Sequence, residues 1–233
     1  MKFAAFDVDG TLVELAIPTH FIRWLEKKNK FPEKVLEEIH ETIRKHENGE
    51  ISWEQRGKEV LNAWAKGFKG TQKKELQELS AEFVKDYDKI FLGSVETMNY
   101  LKKEGYYLIA VSRAFEEILE ALKIKLPFDF IIGTKLEAKK GVYTGKVLNE
   151  LWHLKIKKTV LLELIKEKNL DLKDSFAFGD TEQDSFMMEL AENPVPVQPS
   201  KKLRKVAEKN GWKCFEKIND FFSELEAKGI QGL

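Results

Sequence analysis

The chain has 233 residues with 39 basic and 39 acidic side chains, so its formal net charge is zero. That balance gives no bulk attraction to nucleic acid or to an anionic membrane, and the length allows one large domain or two modest ones with ample core. No apolar run approaches the roughly 20 residues of a membrane span. The lone cysteine, Cys214, precludes an internal disulfide and fits a reducing compartment. The N-terminus reads as a strand at once, without a secretory pattern, so a soluble cytoplasmic protein is expected. Among the 39 basic residues only five are arginine.

Lys2–Phe6 is a short apolar run that reads as a strand. It leads into Asp7-Val8-Asp9-Gly10-Thr11, where the period of two turns Asp7 and Asp9 to the same side. An Asp-Gly turn explains Asp9-Gly10. It does not explain Asp7, a carboxylate inside an apolar strand, where a lone charge is costly. The next eighty or so residues read as amphipathic helices. Pro18-Thr19 opens the first, Pro32 the second, and Asn48-Gly49 breaks that one. Ser52 caps the third, and Gly70-Thr71 precedes the fourth. Trp24, Trp53 and Trp64 are expected in the core of this block.

From Gly93 the pattern alternates. A helix is expected over Ser94–Lys103, a strand over Tyr106–Ser112, a helix over Phe115–Leu122 and a strand over Phe128–Gly133. Leu136–Val147 reads as a hairpin. Then come a helix from Lys158 to Lys168, a strand over Ser175–Phe178, a helix over Asp184–Ala191 and a strand over Val195–Gln198. A helix over Lys201–Lys209, a short strand near Trp212–Phe215 and a last helix complete the chain. Alternation of this kind makes an α/β fold with a doubly wound, mainly parallel, Rossmann-like sheet. Residues 1–13 and 92–233 would form its core, and residues 14–91 an inserted all-helical cap. If the strands are parallel neighbours, Asp7, Asp9, Ser112 and Asp180 all reach one sheet edge, with Asp184 one helical turn beyond. His20, His40, His46 and His153 show no metal-ligand clustering.

These segments resemble the haloacid dehalogenase superfamily. Asp7-Val8-Asp9-Gly10-Thr11 is similar to its first motif, and Ser112 after Leu108-Ile109-Ala110-Val111 to its second. Gly179-Asp180-Thr181-Glu182-Gln183-Asp184 is similar to its acidic fourth motif. The third-motif lysine is best placed at Lys157, with Lys158 and Lys155 as fallbacks. The segments Ile132–Glu137, Gly141–Gly145 and Pro196–Trp212 resemble the phosphoserine-phosphatase-like branch, in which a helical cap also lies between the first two motifs.

The resemblance implies a Mg²⁺-dependent phosphatase acting on a small phosphorylated metabolite. Asp7 would be the nucleophile that forms an aspartyl-phosphate, and Asp9 the general acid and then base. Asp7, the backbone carbonyl of Asp9, and Asp180 would hold the metal, since a hard cation offsets three carboxylates facing a phosphate. Asp184 and Thr11 would support the site. Lys157 and Ser112 would bind the phosphoryl group, and Gly10 would let the backbone approach it. A phosphotransferase or mutase with the same intermediate is the alternative; a non-catalytic binding protein on the same scaffold need not keep both Asp7 and Asp9. The branch's paired glycines after the second-motif serine are here Arg113-Ala114, which would place a cation beside the phosphate or the leaving group and admit a more anionic substrate. Arg56 lies out of register with the branch's carboxylate-binding arginine. Glu14, Arg23 and Arg44 are further candidates for specificity.

Overall fold

Lys2–Phe6 forms the central strand, β1, in the computed structural model, which describes residues 1–149, 151 and 156–230. Phe3, Ala4, Ala5 and Phe6 are fully buried. They alternate between two apolar clusters, Ala4 and Phe6 in one and Phe3 and Ala5 in the other. That is the signature of a strand covered on both faces.

Four helices follow: α1 (Ile17–Lys27), α2 (Glu33–Glu47), α3 (Trp53–Gly67) and α4 (Lys73–Lys85). The Ser52 hydroxyl accepts the Gln55 N–H at 3.1 Å and so caps α3. The chain then forms α5 (Ser94–Lys103), β2 (Tyr107–Phe115), α6 (Glu116–Leu122) and β3 (Phe130–Thr134). A hairpin of β4 (Leu136–Lys139) and β5 (Val142–Val147) precedes α7 (Ile156–Lys168) and β6 (Asp171–Gly179). Last come α8 (Ser185–Met188), β7 (Asn193–Pro196), α9 (Lys201–Asn210) and α10 (Ile218–Lys228).

Among the described residues, five strands form one parallel sheet in the order β3-β2-β1-β6-β7. The chain runs outward from β1 through β2 to β3, then returns to the other side of β1. The order therefore reverses beside β1, and ligands of open α/β sheets bind outside the carboxyl ends of strands at such a point. One face packs Phe6 on Phe178, with centroids 4.4 Å apart, and Phe178 edge-on to Phe221 of α10. The other face is covered by Leu161 and Leu164 of α7, Met187 and Met188 of α8, and Leu203 of α9.

The inserted helices share the first of these clusters, so apolar packing is continuous from sheet to helices. The segments that enter and leave the helical block run side by side. Val13 bridges Ile90, and the Phe91 N–H reaches Leu12 O at 3.0 Å. A third connection joins the α3–α4 turn to the hairpin. Gly70 N–H donates to Tyr143 O (2.9 Å), Tyr143 N–H to Thr71 O (3.0 Å) and Lys73 N–H to Gly141 O (2.8 Å).

Four details differ from the sequence reading. First, β2 does not end at Ser112 but continues to Phe115, with a register shift against β3 between Val111 and Phe115. The Ser112 hydroxyl accepts the Ala114 N–H at 3.0 Å, so a side chain takes a ladder partner's place at this bulge. Second, α8 is shorter than the expected Asp184–Ala191, because the N–H groups of Leu190 and Ala191 bond three residues back and tighten the last turn. Third, Trp212–Phe215 makes one isolated bridge, Val197 to Phe215, and no strand. Val197 sends its N–H inward to Gly179 O (2.9 Å), so the donors that Pro194 and Pro196 lack are missing on the open edge of β7. Fourth, Trp24 and Trp64 are half-buried and pack against the core as expected, but Trp53, also half-buried, stands outside the core clusters.

Candidate active site

Asp7 follows β1 directly, and Asp180 follows β6. Parallel pairing of these strands, Phe6 beside Phe178, brings the two carboxylates to one edge. Asp184 stands at the start of α8, four residues on, and is fully buried. One oxygen from each of Asp7, Asp180 and Asp184 falls in a group whose members all lie within 4.8 Å of one another. The Thr11 hydroxyl joins Asp7 (3.3 Å) and Asp180 (3.4 Å). Gly10 and Gly179 make room for the cluster. At Gly10, φ is +87° and a Cβ would stand 2.5 Å from Asp180 Oδ2, while at Gly179 it would stand 2.3 Å from Asp184 Cβ.

Lys157, near the start of α7, is buried with its ammonium between Asp7 and Asp184. It donates to Asp184 Oδ1 at 2.6 Å and also to Asp7 Oδ1. Lys158 faces outward to Glu189 at 2.8 Å, and Lys155 lies outside the described residues, as does His153. Asp184 spends its other oxygen on Thr181 N–H (2.9 Å), Thr181 hydroxyl (2.7 Å) and Asp180 N–H (3.3 Å).

One buried ammonium cannot balance three carboxylates, and the proton affinities show it. Burial pushes the Asp7 carboxyl well above its ordinary value; Lys157 opposes this, and Asp184, Asp180 and Asp9 add to it. Asp180 is pushed up to about 7, by burial first and Asp184 second. For Asp184 burial acts upward too, but Lys157 and the Thr181 donors outweigh it and hold the group below the usual carboxylate range. Burial alone would lower the Lys157 ammonium, yet Asp184 and Asp7 hold it above its ordinary value.

Asp9 sits in different surroundings. Its Oδ1 accepts the Ile17 N–H at the start of α1 (2.6 Å), and its Oδ2 accepts the Ser112 hydroxyl (3.2 Å). Burial raises its affinity for a proton, while the Ile17 N–H, Arg113 and Ser112 counteract. Asp9 also lines a cavity of about 240 Å³ between the sheet edge and helices α1–α3. Arg113 lines it as well, its guanidinium 4.6 Å from the ring centroid of Trp53. Arg23 and Arg56 reach the same cavity. Glu14 is not among its lining residues, and Arg44 pairs with Glu41 on the surface.

The carboxylate cluster suits a small divalent cation. Mg²⁺ takes oxygen ligands, commonly one or two carboxylates with waters, at roughly 2.0–2.1 Å in octahedral geometry. Opposite ligand oxygens on one such ion stand about 4 Å apart by that geometry, and the three carboxylate oxygens lie within 4.8 Å of one another, so a small inward shift would bring them onto one ion. Its excess negative charge and the cradle at Gly10 fit the same ion. Asp180 has the most capacity to spare, since its carboxylate meets only the Thr11 hydroxyl at 3.4 Å; each oxygen of Asp7 meets one donor, and Asp184 Oδ2 alone meets three.

A profile of the haloacid dehalogenase-like hydrolases matches residues 4–189, which spans β1, the inserted helices and the carboxylate cluster. The chain belongs to this family. A phosphoserine phosphatase of Mycobacterium tuberculosis is 27% identical over 94% of the chain and 70% of its own length. A histidinol-phosphatase of Neisseria meningitidis is 26% identical over 91% of the chain and 96% of its own length. The fold is shared with a crystal structure of a protein of unknown function from Bordetella pertussis, with TM-score 0.78 and 20% identity over 92% of this chain and 98% of that one. Among the described residues of this family member, no helix is long and apolar enough to cross a membrane.

Proposed function

We propose that the chain is a Mg²⁺-dependent phosphatase that hydrolyses a small phosphomonoester through an aspartyl-phosphate on Asp7. One observation carries this reading. Asp7 and Asp9 are two residues apart, yet Asp7 faces the buried ammonium of Lys157 while Asp9 faces the cavity. Paired carboxylates in contrasting environments separate into acid–base and nucleophilic roles.

Asp7 Oδ attacks phosphorus, and the phosphoryl group moves onto its carboxylate as the ester oxygen leaves. Asp9, at the mouth of the cavity, gives its proton to that oxygen. It later takes a proton from the water that hydrolyses the acyl phosphate. Its raised proton affinity suits an acid, and the Ile17 N–H and the Ser112 hydroxyl hold it in place. Lys157 keeps Asp7 oriented and offsets charge on the phosphoryl oxygens, and the Ser112 hydroxyl turns its single proton from Asp9 to one of those oxygens once substrate is bound. Asp184 fixes Lys157. A cation held by Asp7, Asp180 and the Asp9 carbonyl would supply the positive charge that lets a phosphate approach three carboxylates. In this reading residues 14–91 act as a cap that closes the leaving-group side against water.

The relatives' names differ in substrate, so likeness alone does not choose one. The test is hydrolysis of a generic aryl phosphate with Mg²⁺, with EDTA, and by Asp7→Asn. The reading expects activity that EDTA abolishes and Mg²⁺ restores, and loss of at least about 10³-fold in Asp7→Asn protein that still unfolds cooperatively. Near-wild-type turnover by Asp7→Asn would refute the nucleophile. Product analysis with an added alcohol acceptor separates hydrolysis from phosphoryl transfer.

A further inference from the structure

Thr134 ends β3 and is fully buried, yet no step of the proposed reaction uses it. Its hydroxyl donates to Arg113 O at 2.6 Å. That carbonyl belongs to the same peptide unit as the Ala114 N–H, which donates to Ser112 Oγ at 3.0 Å. Ser112 Oγ in turn stands 3.2 Å from Asp9 Oδ2. One peptide is thus gripped on both sides by hydroxyl groups, and the second of these faces the acid–base carboxylate.

The directions of these bonds follow from the groups themselves. A carbonyl only accepts and an amide N–H only donates, so Thr134 gives its proton to Arg113, and Ser112 accepts from Ala114. Ser112 is left with a single proton, and Asp9 Oδ2 is what it reaches. The three bonds run head to tail in one sense. Ser112, Ala114 and Thr134 are all buried, and in such surroundings the members of a chain polarise one another.

The bulge in β2 makes this arrangement necessary. The register against β3 shifts between Val111 and Phe115, so the 113–114 peptide lies where the ladder is broken and hydroxyls stand in for its partners. The two backbones touch here: at Gly133 a Cβ would stand 2.9 Å from Ala114 O. Asn149 then locks the end of β3 on either side of Thr134. Its Oδ1 accepts the Lys135 N–H at 2.7 Å, and its Nδ2 donates to Gly133 O at 2.8 Å. A carbonyl that needed only a partner would be served by any donor. This one meets a side chain whose own backbone is held on both flanks.

We propose that Thr134 is a positioning residue. Through the peptide between Arg113 and Ala114 it holds the Ser112 hydroxyl in the rotamer that reaches Asp9 in the free protein and the phosphoryl oxygens in the complex. The assignment rests on the phosphatase reading for its effect on rate, but not for the clamp itself. Without the Thr134 proton the peptide is free to rock, the Ala114 N–H drifts from Ser112, and the hydroxyl gains access to its other staggered positions. The defect is one of placement, so it falls on kcat more than on KM.

The test pairs Thr134→Val, which removes the hydroxyl at nearly constant shape, with Thr134→Ser, which keeps the hydroxyl and loses a methyl. With phenyl phosphate and Mg²⁺, Thr134→Val should lower kcat by about tenfold and leave KM within about threefold, while Thr134→Ser stays within about threefold of wild type in both. If Thr134→Val fails to fold, Thr134→Ser against Thr134→Ala isolates the same oxygen atom. In the Ser112→Ala background, Thr134→Val should cost less than about twofold, because a residue that acts through Ser112 has nothing left to place.

Amide exchange followed by NMR reads the clamp without turnover. In Thr134→Val the Ala114 N–H should exchange at least about fivefold faster relative to the Ala5 N–H of β1, and in Thr134→Ser it should not. A general loss of stability would speed both amides alike, and that result overturns the proposal. Unchanged kcat in Thr134→Val, or losses that multiply in the double variant, overturns it too. Selective loss of Ala114 protection, in a protein whose wild type turns over no aryl phosphate, sustains the clamp and overturns the phosphatase reading.

Discussion

Metal-free protein should lose stability as pH rises from about 4 to about 7. The Asp180 carboxyl, whose ordinary value is 3.8, is pushed up to about 7 by burial and by Asp184. Between those values the folded chain holds a proton that the unfolded chain has released. The unfolding free energy therefore falls with rising pH. A rise of about three pH units corresponds to at most about 4 kcal/mol. The charge is shared among interacting carboxylates, which brings the expected loss to about 2–3 kcal/mol. Asp7, also raised, tilts stability the same way. Asp184 is lowered, so its stabilisation is present above 3.8 and is lost only at more acid pH, outside the window. His20 is lowered from 6.5 and tilts the opposite way, so a difference measurement is needed. Urea unfolding at pH 4.5 and 7.0 in EDTA, on wild type and Asp180→Asn, provides it. Wild type should lose about 2 kcal/mol more than the variant across that interval. Mg²⁺ at a hundred times its dissociation constant should return about 2.7 kcal/mol to wild type at pH 7. Equal losses in wild type and Asp180→Asn would refute the charge assignment.

Two further perturbations probe the same centre. Lys157→Met strands Asp7 and Asp184 as buried, unpaired carboxylates, at a cost of about 3–5 kcal/mol; chemical denaturation in EDTA at pH 7 should show it, and a loss under about 1 kcal/mol would mean that the ammonium is dispensable. Gly10→Ala meets both a φ of +87° and a Cβ contact of 2.5 Å with Asp180. The backbone part alone should cost about 1–3 kcal/mol, and calorimetric Mg²⁺ affinity should fall with it. Unchanged affinity would show that the cradle does not position Asp180.

Asp7, Asp9 and Asp180 were legible in the sequence because they sit in contiguous motifs at strand ends, and β-strand pairing brings such ends together. Lys157 was legible only as one of several lysines. Its burial depends on where α7 packs, which periodicity does not give. The bulge after Ser112 was hidden because Arg113-Ala114 carries none of the glycine that usually marks one. Trp53 is expected in the core as an aromatic of an amphipathic helix, yet its position at the first turn of α3 brings it over Arg113. Arg56 was out of register with a pattern but lies on the cavity wall. Cavity lining is set by the convergence of three helices, and no local window of sequence records that convergence.

The three backbone hydrogen bonds between the α3–α4 turn and the β4–β5 hairpin have a consequence for recombination. A chimera that exchanges residues 14–91 alone would separate Gly70, Thr71 and Lys73 from Gly141 and Tyr143, their partners sixty or more positions away. The smallest transplantable piece is therefore discontinuous: four helices and a hairpin, inherited together across an intervening stretch of sheet. A cavity walled by such a piece is altered with less disruption by point substitution in its lining than by exchange of the whole helical block.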